Sequence, residues 1–253
     1  MGVMYGVNPT WGAQTNAGRT HIATKGIVQS GLVLNLDAGV SSSYPGSGNT
    51  WTDLSGNGRT GTLTNMEVPG DYTSTNGGIL TFDGTDDFIQ CSGSSLVLTS
   101  ATFIVWIKRG ISSGDSARAG LLISRTPTAT GMNFYPFQIS GTYPLFLAYH
   151  WNDTDTTYGW NSGLIVPLDS WSMCAITVTS SLATAYLYQA SGLTTATNST
   201  THNSTTMSDI EVGRDAMGRY YTGSIAQALI YNRALSATEI RQNYLATKSR
   251  YFS

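Results

Sequence analysis

Ten short runs, each rich in β-branched and aromatic residues and each bounded by Gly, Asn, Asp or Ser clusters, recur along most of this chain. They are GLVLNLDA (31–38), GILTFDG (78–84), DFIQCSG (87–93), ATFIVWIKR (101–109), GLLISR (120–125), YPLFLAYHW (143–151), WSMCAITVTS (171–180), ATAYLYQ (183–189), SDIEVGR (208–214) and GSIAQALIYNR (223–233). Composition and length mark such runs as strands. No helical periodicity lies between them, and parallel strands need crossovers of a dozen residues or more, so the pairing is antiparallel. The predicted fold is all-β and antiparallel, closed as a sandwich or a jelly roll. With 40% hydrophobic side chains in 253 residues, there is material for one large core.

One segment reads as a helix. In ALSATEIRQNYLATK, Ser236 and Glu239 form a capping box, and Leu235, Ile240 and Tyr244 face one side while Arg241 and Lys248 face out. It predicts a short C-terminal helix capping the sheet. Residues 1–29 have neither periodicity and read as an N-terminal arm. Residues 191–206 (SGLTTATNSTTHNSTT) read as an exposed loop, and 247–253 as a tail after a domain spanning 30–246.

Charge excludes several partners. Thirteen Lys and Arg against fifteen Asp and Glu give a net charge of −2, with no basic patch for nucleic acid or anionic lipid. No apolar run reaches membrane-spanning length, and the first 30 residues lack the apolar core of a secretory signal. A soluble chain that is not exported is the expectation. Cys91 and Cys174 are too few for a disulfide framework and read as free thiols buried in strands.

The order of motifs GLVLNLDAG, WTDLSGNGRTGTLTN, ILTFDGTDDFI, TFIVWIKR and EVGRDAMGRYYTGSIAQALIYNRALSATEI resembles the concanavalin A-like, laminin-G-like jelly rolls of bacterial surface proteins and tailed-phage virion proteins. The closing IYNRALS strand with its capped helix is the part that resembles the bacterial and phage branch. The resemblance implies two curved antiparallel sheets, a binding surface on the concave face or loop rim, frequent Ca²⁺ binding, and recognition of carbohydrate or protein rather than catalysis.

Local matches to catalytic motifs fail on context. Gly56, Gly58 and Gly61 fit a dinucleotide loop, yet TLTNMEVPG follows where a helix is required. Gly110, Ser112 and Gly114 fit a nucleophile elbow, but the chain continues as a hairpin would. Glycoside hydrolysis needs two carboxylates flanking the scissile bond. The three Glu, at 67, 211 and 239, share no strand pattern, and Asp83, Asp86 and Asp87 read as a hairpin tip capping its own N–H groups. The chain is expected not to be an enzyme.

Two sites remain as candidates. Asp53 in DLSGNG reads either as a Ca²⁺ ligand, which the resemblance favours, or as the carboxylate of an Asx-type turn onto Ser55 or Gly56. Tyr149, Trp151, Tyr158 and Trp160 flank the polar NDTDTT with Asp153 and Asp155. Period-two spacing puts Tyr149 with Trp151 and Tyr158 with Trp160, either as platforms for a sugar or as core rings. In the arm, Tyr5 and Trp11 are the anchors expected to attach the chain to a neighbouring protein or to another copy of itself, the alternative being an arm folded back over its own sandwich edge. The expected function is a non-enzymatic phage virion structural protein, for capsid decoration or tail-fibre association, presenting a carbohydrate- or protein-binding jelly roll assembled in the host cytoplasm. The alternative is a carbohydrate-binding or adhesion module of a bacterial cell surface.

Overall fold

The computed structural model describes residues 26–111, 118–136 and 144–252, so Tyr5, Trp11, Ser112 and Gly114 lie outside the described residues. In chain order the first strands are β1 (Leu32–Asp37), β2 (Thr50–Trp51), β3 (Gly61–Thr64), β4 (Tyr72–Thr73), β5 (Ile79–Asp83), β6 (Phe88–Cys91), β7 (Leu96–Leu98), β8 (Ala101–Arg109) and β9 (Gly120–Ser124). Next come β10 (Thr130–Pro136), β11 (Leu145–His150), a single helical turn α1 (Asp155–Tyr158), β12 (Trp171–Val178), β13 (Ala183–Gln189) and β14 (Gly192–Asn198). The chain closes with β15 (Thr205–Met207), β16 (Ile210–Val212), β17 (Arg214–Asp215), β18 (Arg219–Tyr220), β19 (Thr222–Tyr231) and α2 (Ala237–Thr247). All ten runs identified from sequence contain strands.

Two antiparallel sheets carry the fold. The first runs β14-β13-β12-β8-β19-β5-β4, and the second β11-β10-β9-β16-β6-β3-β2. β19 is long enough to hold two partners on one edge: β5 pairs with its first residues and β1 with its last. Between the sheets, Leu34, Phe103, Val105, Ile107, Cys174 and Ile176 of the first meet Ile89, Leu121, Met132, Phe134 and Leu147 of the second. Both cysteines are free and buried there, and burial pushes the Cys91 thiol up to about 12.

The outer face of the first sheet is covered as well. On β8, Phe103, Val105 and Ile107 face the inter-sheet core, whereas Ile104 and Trp106 join a second cluster with Leu235, Ile240 and Tyr251. A strand buried on both faces reads as a continuous apolar run, which is what ATFIVWIKR is. The capping box that starts α2 forms as its spacing predicts, with the Ser236 hydroxyl accepting from Glu239 N–H and Glu239 Oε2 accepting from Ser236 N–H.

Three expected boundaries are corrected. Residues 247–252 are part of the fold rather than a tail. Trp106 Nε1 donates to Thr247 Oγ1 at 2.8 Å, the Tyr251 ring lies 4.3 Å from that of Trp106, and Arg250 holds buried Asp37 through two hydrogen bonds of 2.6 and 3.0 Å. The N-terminal boundary moves back to at least Val28, whose N–H donates to Asn243 Oδ1 and whose carbonyl accepts from the Tyr231 hydroxyl. The tract 191–206 is not one loop: Gly192–Asn198 pairs with β13 as an edge strand, from Gln189↔Gly192 to Ala183↔Asn198. Its β-branched threonines suit a strand open to water, and their polarity hides the apolar alternation by which strands are found. No helix among the described residues is long and apolar enough to cross a membrane.

Candidate functional site

On the outer face of the second sheet, the period of two on β10 decides which side chains stand there. Met132 and Phe134 point into the core, so Asn133 and Tyr135 point out; on neighbouring β11, Leu147 and Tyr149 point in and His150 points out. After β11, Asn152 and Asp153 both adopt left-handed backbone (φ 52° and 51°), which their short polar side chains tolerate, and the chain reverses into α1. That turn is fixed from within: buried Thr157 accepts from Trp151 N–H at 3.1 Å and donates to the Thr154 carbonyl at 2.6 Å. It lays the Tyr158 ring on the His150 ring, with centroids 5.6 Å apart and 22° between planes.

Two arginines complete the wall. Arg118 lies just before β9, with its guanidinium 5.9 Å from the centre of the Tyr135 ring. Arg219 arrives on the β17–β18 hairpin, where Asp215 pairs with it in register. Gly213 makes the preceding bend at φ 79°, and a Cβ there would sit 2.4 Å from Phe82 Cε1. Behind the wall Asp215, with no exposed side-chain surface, accepts from Arg125 Nε at 2.7 Å, from Arg219 Nη1 at 3.3 Å and from Met217 N–H at 3.1 Å. The result is a cavity of about 280 Å³ lined by Arg118, Asn133, Tyr135, His150, Tyr158 and Arg219.

Its lining is polar. Asn133 (4% exposed) and His150 (7% exposed) are more than nine-tenths buried, yet Asn133 Oδ1 and His150 Nδ1 have no hydrogen-bond partner among the described residues, and neither does Arg219 Nε. Buried polar atoms left unpaired cost free energy, and three of them belong to side chains that line this one cavity. Burial, assisted by the charge of Arg125, lowers the His150 pKa to about 4, so the imidazole is neutral at pH 7.

The structure sorts the expected residues unevenly. Tyr158, 39% exposed, is in the wall. Tyr149 and Trp151 are fully buried, contrary to a ligand role: the Tyr149 hydroxyl bonds His202 Nε2 at 2.8 Å, and Trp151 Nε1 donates to the Asn203 carbonyl at 2.6 Å. Trp160 packs edge-on against Tyr149, 5.5 Å away, so it does not share a face with Tyr158. The strand period assumed for 158–160 does not apply, because Tyr158 ends a helical turn. Asp153 and Asp155 are exposed outside the wall, Asp155 accepting from the Tyr158 hydroxyl at 2.6 Å.

The two acidic motifs serve turns. Asp53 Oδ1 accepts from the N–H groups of Asn35 and Ser55, and Oδ2 from the Ser55 hydroxyl and Arg59 N–H, which is the Asx-type geometry extended to three further donors. Asp83 Oδ1 accepts from Thr85 N–H and Asp87 Oδ2 from Asp83 N–H, as a hairpin tip does. A larger cavity of about 410 Å³ lies by the outer face of the first sheet, but its walls include Trp171 and Tyr251, whose rings, 4.7 Å apart, cover that sheet.

The sequence profile of the concanavalin A-like lectin/glucanases superfamily matches residues 83–241. The chain belongs to that superfamily. Its fold is similar to domain 4 of AbnA, a GH43 extracellular arabinanase from Geobacillus stearothermophilus solved with arabinotriose, at TM-score 0.54 and 15% identity over 85% of this chain and 98% of that one. It is also similar to the Trypanosoma rangeli sialidase (TM-score 0.54, 14% identity, 90% of this chain but 34% of the sialidase). A third similar structure is the binding domain of botulinum neurotoxin serotype G (TM-score 0.55, 13% identity, 86% of this chain and 51% of that one). No curated protein matches the sequence. Within this superfamily jelly roll, the pocket residues missed from sequence had one readable signal: TGMNFYP alternates apolar and polar side chains, placing Asn133 and Tyr135 together. Arg118 and Arg219 had none, since only the pairing of distant strands joins them.

Proposed function

We propose that this chain is a non-catalytic carbohydrate-binding jelly roll whose sugar seats in the pocket between β10, β11 and α1. The observation that carries the reading is the exposed Tyr158 ring stacked on His150 beside the unpartnered amide oxygen of Asn133. A flat ring covers the C–H face of a sugar while amide, imidazole and guanidinium groups meet its hydroxyls. The six wall side chains include no carboxylate, which supports recognition rather than glycoside hydrolysis. The closing IYNRALS motif and capped helix fit a tailed-phage particle and a bacterial surface alike; mass spectrometry of purified particles tests the first placement.

The binding claim is tested on a glycan array with the purified chain and its Tyr158→Ala variant. The expected result is retention of a defined glycan set and a loss of about tenfold or more in the variant, in the range of one lost stacking and hydrogen-bonding contact. Because Tyr158 is partly exposed, its melting temperature should stay within a few degrees of the parent. Equal retention by both proteins, or none by either, would contradict the proposal.

A further inference from the structure

We infer that the sugar taken by this pocket carries a negative charge, as a carboxylate or a sulfate; this rests on the carbohydrate reading and names its ligand class. The formal charges in the wall are the two guanidiniums of Arg118 and Arg219. Four other arginines of the chain hold a carboxylate through two nitrogens each: Arg125 on Asp215, Arg214 on Glu211, Arg233 on Glu239 and Arg250 on Asp37. Arg118 has no ion-pair partner among the described residues. Arg219 touches Asp215 with one nitrogen only, and its Nε is without an acceptor.

Asp215 offsets the wall only in part, because its single charge is shared between Arg125 and Arg219. Asp153 and Asp155 stand exposed outside the lining, where water and salt screen them. Neutral hydroxyls are met adequately by amides and imidazoles. Two guanidiniums that line one cavity, Arg118 without an ion-pair partner among the described residues and Arg219 with one nitrogen on Asp215, are matched by an anionic oxygen pair, to which a planar fork donates two bonds.

The test uses an array of matched glycans that differ only in the acidic group: neutral hexose oligomers, their uronic-acid counterparts and their sulfated counterparts. The expected result is a preference of about tenfold or more for at least one acidic member, decreasing as salt is raised. In Arg118→Gln that preference should fall to near parity, with the acidic member losing more affinity than its neutral counterpart. The uronate and sulfate arms separate the two sources of charge. Binding of neutral and acidic members alike, or a preference untouched by Arg118→Gln, would overturn the inference while leaving the carbohydrate reading intact. Binding to neither class would overturn both.

Discussion

Trp106→Ala is expected to lower the unfolding free energy by about 3–5 kcal/mol, the range for deleting a large buried aromatic. Trp106 has no exposed surface. Its ring meets those of Tyr251 at 4.3 Å, Phe252 at 5.6 Å and Tyr244 at 6.0 Å, and its Nε1–H is satisfied by Thr247. Removing it opens a cavity under the segment that covers the first sheet and leaves the Thr247 hydroxyl without its donor. Denaturant titration measures the loss. A change under about 1 kcal/mol would mean that residues 247–252 do not pack as described.

Asp215→Ala should cost a similar amount, about 3–5 kcal/mol, by leaving Arg125 and Arg219 facing each other without their shared carboxylate. The pH dependence follows in sign. Burial by itself would raise the Asp215 pKa, but the hydrogen bond and charge of Arg125, with help from Met217 N–H and Arg219, outweigh it and hold the carboxyl below its ordinary 3.8. A carboxyl whose folded pKa is depressed contributes stability that is complete above the unfolded value and is lost as pH falls through the folded one. The parent should therefore lose part of its stability below about pH 3.8, where the variant, already lacking the carboxylate, loses less. Thermal melts from pH 7 to 2 show this, and parallel curves for the two proteins would contradict it.

What was legible in the sequence is what local pattern dictates. The strand runs declared themselves through β-branched residues between turn clusters, and the Ser236–Glu239 box placed the helix start because both partners lie within one turn. The Asp53 turn was legible in outline for the same reason, although its longest-range donor, Asn35 N–H, comes from another strand. Gly192–Asn198 was missed because its threonines carry strand propensity without apolar alternation. The role of 247–252 was missed because Tyr251 and Arg250 acquire meaning only against Trp106 and Asp37, far away in sequence.

The site was half legible. The aromatic-and-acidic stretch 149–160 holds one residue of the pocket wall, but strand period alone could not show that two left-handed residues, Asn152 and Asp153, turn Tyr158 onto the outer face while Tyr149 stays in the core with Trp160, partly buried, against it. Which face a ring takes after a reversal depends on backbone dihedrals that composition does not encode. The second arginine depends on the β17–β18 hairpin, which follows five further strands, β12 to β16.

The most direct test of the central claim is a side-chain-resolved NMR titration of the chain with a glycan it retains on the array, following the Asn133 amide, the His150 ring and the indole N–H signals. The account predicts saturable shifts at Asn133 and His150, with the Trp171 indole beside the larger cavity unmoved. Shifts confined to Trp171 and its neighbours Tyr251 and Phe252, with Asn133 and His150 silent, would contradict it.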